Sequence, residues 1–188
     1  MLHSKALKLA GALALILVIT GAGRLSLAHG AQAPASAIEV PKPGSPPQGI
    51  VLSGPAAVEL ASMFYSASPP RSRGVWRPTT SDIARLEKAL PDFMRRQKHL
   101  PADYHPLHEY FRQYVGIVRD GKKTIGINFA HFSFLKAMVN LDLQLHKGKA
   151  EDWRQRPIVV DDGGAAFFHL QFDPATGLFS ALLFNGVA

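Results

Sequence analysis

Tyr110-Phe-Arg-Gln-Tyr-Val-Gly-Ile-Val-Arg119, Asp120-Gly121 and Lys122-Lys-Thr-Ile-Gly-Ile-Asn-Phe-Ala130 form the stretch that decides the fold. Both flanks are rich in aromatic and β-branched residues, which favour extended backbone, and Asp-Gly is a two-residue turn suited to the twist of a hairpin. The spacing therefore predicts strands over 110–119 and 122–130. A second hairpin follows, Ala165–Asp173 and Leu178–Asn185, around Pro174-Ala-Thr-Gly177, where Gly177 can take a left-handed conformation. In its first strand Phe168, Leu170 and Phe172 share one face, and Phe167, His169 and Gln171 the other.

Upstream, Pro78-Thr79-Thr80-Ser81-Asp82 reads as a helix start, with Thr79 as cap and Asp82 in the first turn. Ile83, Leu86, Leu90, Phe93 and Met94 recur mostly at three- and four-residue steps and make one apolar stripe. Pro91 lies inside the stripe and predicts a kink or two helices in tandem. Residues 133–147 fit a helix through Leu135, Met138 and Leu145, while Leu141, Leu143 and Leu145 also alternate; helix is preferred, with Gly148 as its stop. Pro157–Val160 is a short apolar run ended by Asp161-Asp162-Gly163-Gly164. The expected class is α+β: an N-terminal amphipathic, kinked helix packed on an antiparallel sheet of four to five strands, cystatin-like by analogy of fold alone.

Residues 31–74 are rich in Pro, Ala, Gly and Ser and read as a linker with room for one short helix over 56–65, which sets the compact domain at 75–188. Residues 1–30 carry the signature of a secretory signal peptide. Lys5 and Lys8 precede an uncharged apolar run from Leu9 to Ile19, and small residues follow, with exits after Ala28 or Gly30. The run from Leu9 to Gly23 is shorter than the roughly 20 residues of a spanning helix. The expectation is a periplasmic or secreted protein; an uncleaved leader is the only route to the membrane.

The net charge of +7 includes Lys5, Lys8 and Arg24, and residues 1–30 hold no acid, so +7 less 3 leaves +4 after cleavage. Export removes nucleic acid as a partner, whereas an envelope protein or an anionic surface suits a mild positive charge. There is no cysteine, which excludes disulfides, cysteine nucleophiles and lipidation at an N-terminal cysteine.

The ending Asp162-Gly163-Gly164, Phe167-Phe168, Phe172-Asp173-Pro174, Thr176, Phe179 and Phe184-Asn185-Gly186, with Trp76, Tyr114-Val115-Gly116 and Trp153, resembles a family of short exported bacterial proteins of uncharacterised activity. The resemblance covers residues 75–188. It implies a bacterial envelope setting and no chemistry, and the chain departs from it at 131–147, which looks like an insertion.

No catalytic constellation stands out by spacing. His99, His105, His108 and Glu109 cluster within eleven residues, and such groups can bind zinc. Yet Pro106 and Leu107 interrupt any helix there, so a solvated loop is favoured and His105, His108 and Glu109 remain weak ligand candidates. Asp161 and Asp162 read first as turn formers and second as a binding pair. His169 reads as a surface or groove histidine. Arg95, Arg96, Lys98 and His99, with Arg119, Lys122 and Lys123, read as a solvated helix end and a hairpin tip before they read as an anion-binding patch. Tyr110, Tyr114 and Phe167 attract more attention, because both sheet faces carry aromatics and one helix covers only one. The second face must meet residues 133–147, a partner or a ligand. The favoured reading is a non-enzymatic module that binds a protein or a surface and needs no cofactor. The alternative is a ligand-binding or hydrolase-like domain with a pocket between helix and sheet.

Overall fold

The computed structural model describes residues 49–65, 73–145 and 152–186. The leader and most of the linker lie outside the described residues. The chain forms β1 (Gly49–Val51), α1 (Gly54–Ser62), β2 (Arg73–Trp76), α2 (Thr80–Arg95), β3 (Tyr110–Arg119), β4 (Lys122–His131), α3 (Phe132–Leu145), β5 (Phe167–Asp173) and β6 (Leu178–Phe184). Short 3-10 turns at Leu107–Glu109 and Gly164–Ala166 precede β3 and β5.

The β3–β4 hairpin is the spine. Asp120 and Gly121 both adopt positive φ, 51° and 77°, the twist that a two-residue connection needs. With Arg119 paired to Lys122, the register runs without a shift to Tyr110 opposite His131. β5 adds to β4 and β6 to β5, both antiparallel. The turn between β5 and β6 is held by Asp173, whose Oδ1 accepts from the backbone N–H groups of Ala175 and Thr176 at 2.9 and 3.3 Å. β6 carries a register shift opposite His169 and Gln171, where Ala181 takes a φ of 54°.

The outer edge of β3 is shared by two short strands, and this corrects the expected four- to five-stranded antiparallel sheet. β1 runs parallel to one half, Gly49 opposite Arg112, and β2 runs antiparallel to the other, Trp76 opposite Gly116. The sheet is thus mixed and six-stranded. β1 and α1 come from within residues 31–74, and β2 crosses the boundary expected between residues 74 and 75. Gly49 suits its place because a Cβ would meet the Tyr114 ring at 2.6 Å.

α2 is one helix; Pro91 does not divide it. Pro91 is exposed, so its ring meets solvent and not the sheet, and the helix continues at the loss of one backbone donor. The start is a complete capping box, with Thr79 Oγ1 accepting from Asp82 N at 3.2 Å and Asp82 Oδ2 accepting from Thr79 N at 2.9 Å. Leu86, Leu90 and Met94 are buried against one sheet face, over Tyr114, Ile127, Phe129 and Phe168.

The second sheet face, expected to meet residues 133–147, a partner or a ligand, is covered by α1 and α3. On this opposite face Leu60 of α1 and Phe64 just after the helix pack against Val115 and Ile117. Beside it, Phe132, Leu135 and Val139 of α3 join Trp153 and Ile158 over Phe111, Ala130 and Phe167. Helix is the form that residues 133–145 take. Two buried polar side chains fasten the 152–158 segment: Gln113 Nε2 donates to the carbonyls of Trp153 and Arg156 at 2.6 and 2.7 Å, and Asn128 Nδ2 donates to that of Ile158 at 2.7 Å. Among the described residues, no helix is long and apolar enough to cross a membrane.

Candidate metal centre

The loop leading into β3 is tied down before its side chains are considered. Tyr110 Oη accepts from the backbone N–H of His105 at 3.2 Å and donates to the carbonyl of Ala165 at 2.7 Å. Pro106 starts the 3-10 turn, and Glu109 N donates back to its carbonyl at 2.9 Å. Arg112 reaches from the sheet to donate to the Leu107 carbonyl at 2.9 Å. The turn folds the chain back so that His105 and Glu109 face each other, a meeting that the interrupted spacing argued against.

The third group comes from the far end of the hairpin. His131 closes β4 opposite Tyr110, beside Glu109. Its Nε2 lies 3.0 Å from Glu109 Oε2, and His105 Nδ1 lies 3.3 Å from the same oxygen. The two imidazoles stack with centroids 4.0 Å apart and planes inclined by 31°. His108 approaches the other carboxylate oxygen, Oε1, at 3.9 Å. Exposure is graded: the His131 side chain is 11% exposed, Glu109 32% and His105 45%. The cluster is therefore rooted in the sheet and open on the loop side. The hydrogen bond with His131, helped by the neighbouring imidazoles, holds the Glu109 carboxyl below the usual glutamate range.

Ser133, the second residue of α3, supports His131, the deepest of the three groups. Its Oγ lies 2.7 Å from His131 Nδ1, and its backbone N–H points at the same nitrogen from 3.4 Å. A hydroxyl both donates and accepts, so Ser133 can serve either tautomer of the ring. In the neutral ring with Nδ1 accepting, the proton sits on Nε2 and points at Glu109. Were Nε2 to hold a cation, the proton would stand on Nδ1, with Ser133 Oγ as its acceptor.

Two imidazoles and one carboxylate are a recurring donor set for zinc and other first-row divalent ions. One donor atom from each of His105, Glu109 and His131 lies within 4.8 Å of the others. Coordination at about 2.0–2.2 Å per donor needs a small inward movement. His105, the most exposed of the three, has the most room to make it.

The other expected site residues lie elsewhere. Tyr110, Tyr114 and Phe167 are buried in the core, at 0%, 4% and 2% exposure, and offer no surface to a partner. Tyr114 Oη donates instead to Glu87 at 2.8 Å beneath α2, and burial raises its phenol far above the usual range. His169 is half-buried beside the edge of Phe64, its centroid 5.5 Å away, and desolvation lowers its pKa. Asp161 and Asp162 are exposed. The turn after them clasps the chain's end, with the N–H groups of Gly163 and Gly164 donating to the Gly186 carbonyl at 3.1 and 3.0 Å. His99 is exposed at the end of α2 and is not part of the cluster. Three of the basic groups are engaged locally: Arg95 with Asp92, Lys122 with Asp173 at 3.0 Å, and Lys123 over the Trp76 ring.

Sequence reasoning missed His131 because it ended the strand at Ala130. The signal was present, since a two-residue turn at 120–121 sets Arg119 opposite Lys122, and the same register carried on places Tyr110 opposite His131. Compared with protein families, curated proteins and solved structures, the chain matches none.

Proposed function

We propose that this chain is an exported envelope domain that binds a divalent transition-metal ion through His105, Glu109 and His131. The observation that carries the reading is the convergence of both imidazoles on one carboxylate oxygen, at 3.3 and 3.0 Å, with a serine behind the deeper ring. Metal-binding histidines characteristically have such a partner on their second nitrogen. The composition agrees: without cysteine no thiolate is on offer, which leaves imidazole, carboxylate and methionine thioether as the side-chain donors. Export is supported by the basic head, apolar run and small-residue exit of residues 1–30.

The alternative expectations have less support. A partner-binding face built on Tyr110, Tyr114 and Phe167 loses its residues to the core. The space between α2 and the sheet is filled by Leu86, Leu90 and Met94. His169 and Asp162 do not join the cluster.

The test is calorimetric titration of zinc into chelator-stripped protein, purified after expression of the full sequence. One ion per chain is expected. The double variant His105→Ala/His131→Ala should lose more than about 100-fold in affinity, since removing an outer partner alone costs 10–100-fold. Binding that is absent, or unchanged in the double variant, would overturn the proposal.

A further inference from the structure

The three proposed ligands leave a fourth position, and its occupant decides whether the site holds an ion or presents one. Three protein donors plus water make an open site, whereas four protein donors make a closed one. His108 is the group placed to decide this. It belongs to the same 3-10 turn as Glu109, and its Nε2 lies 3.9 Å from Glu109 Oε1. His105 and His131 both approach Oε2, so the three imidazoles bracket the carboxylate from its two oxygens.

On this basis, and resting on the metal-binding reading above, we infer that His108 is the fourth donor, which swings in when the ion arrives and closes a His3Glu site. The required movement is local. The His108 side chain is 61% exposed, so turning its ring about the side-chain bonds leaves the packed core undisturbed. The backbone that carries it is fixed by Pro106 at the start of the turn and by the Arg112 bond to the Leu107 carbonyl. The ring therefore moves on a held support, which limits the ordering cost of recruiting it. A site closed in this way sequesters its ion, which suits buffering or delivery of metal and not activation of a bound water.

Cobalt(II) distinguishes the two geometries, because an open position accepts an added ligand and the visible spectrum of the ion reports it. The full-length chain would be loaded with cobalt, with the exposed His99→Gln as a control for loss of a nearby histidine. In the wild type and the control, the spectrum should not change when imidazole is added. In His108→Gln, cobalt affinity should fall on the order of tenfold to a hundredfold, the range for weakening a metal's support. Added imidazole should then restore the wild-type spectrum. Far-UV circular dichroism identical in all three proteins separates these effects from unfolding. A wild-type spectrum that shifts with imidazole, or a His108→Gln variant that binds cobalt as tightly as wild type, overturns the fourth-ligand assignment and leaves metal binding standing. Failure of the wild type to bind cobalt or zinc at all removes both.

Discussion

His131 Nε2 faces Glu109 across 3.0 Å while its other ring nitrogen meets Ser133 Oγ at 2.7 Å, so one ring joins the candidate site to the start of α3. The same ring is buried to 11% side-chain exposure, and its orientation is set by these two contacts. Ser133→Ala removes the hydroxyl and leaves the backbone N–H, which can only donate and so favours the tautomer with the proton on Nε2. That is the wrong tautomer for a metal. Zinc affinity is expected to fall about 10–100-fold, as for other outer partners of metal-bound histidine. Titration calorimetry reads this directly. A Ser133→Ala protein that binds zinc like wild type would show that the hydroxyl plays no part.

How far the fold could be read from the sequence depended on how local the deciding interaction was. Thr79 and Asp82 announce the start of α2 because a capping box is completed within four residues. Asp120-Gly121 announces the hairpin for the same reason. β1 and β2 were not legible: three and four residues long, they are strands because β3 offers them an edge. Gln113 and Asn128 carry no such local signal. Polar residues alternating with apolar ones suggest a solvated face, yet both are buried and bind the backbone of residues 153–158. The site was half legible, with His105, His108 and Glu109 close in sequence and His131 brought in only by the far end of a ten-residue register.

The capping box makes a testable contribution of its own. Thr79→Ala loses the acceptor for Asp82 N and the hydroxyl that donates to Asp82 Oδ2 at 2.7 Å. A cost of about 1 kcal/mol is expected in urea unfolding. The bond from the Thr79 side chain, followed by that from its backbone, holds the Asp82 carboxyl below its usual range. A carboxyl lowered in the fold stabilises above its unfolded pKa, and that stability is lost as pH falls through the folded value. The gap between wild type and Thr79→Ala should therefore narrow on acidification. A gap that is constant with pH would place the whole effect in the helix backbone.

His169 should have the opposite chemistry and the same sign. Burial beside Phe64 disfavours its charged form, so its pKa is lowered in the fold. The unfolded chain takes up this proton near pH 6.5, the folded chain only at lower pH. Between the two values acid favours unfolding; above the upper one the protein has the full stability that this residue allows. His169→Leu removes the titration and should flatten the loss of stability below about pH 6.5 relative to wild type. Parallel curves of stability against pH for the two proteins would show that the folded ring titrates as it does in water.

Gln113 is the last buried group whose removal has a distinctive readout. Its amide nitrogen donates to the carbonyls of Trp153 and Arg156, and its oxygen accepts from the N–H of Ile158 at 2.7 Å. Gln113→Leu keeps an apolar body of similar length and strands all three backbone groups. At about 1–3 kcal/mol for each buried polar group left unmade, a loss of about 3 kcal/mol or more is expected, softened wherever water reaches the gap. The loss should begin locally. Residues 152–158 form no helix or strand, and of the cluster they join, Trp153 and Ile158 are the buried anchors. Arg154 lies between those anchors, is exposed and is followed by Gln155, so trypsin reports release of the segment there. Brief digestion of Gln113→Leu under native conditions should cut after Arg154 well before wild type is cut there. Asn128→Leu, which strands only the Ile158 carbonyl, should show a smaller acceleration. Equal cleavage rates in all three proteins would mean that Trp153 and Ile158 hold the segment by apolar packing alone, with the amide bonds adding nothing.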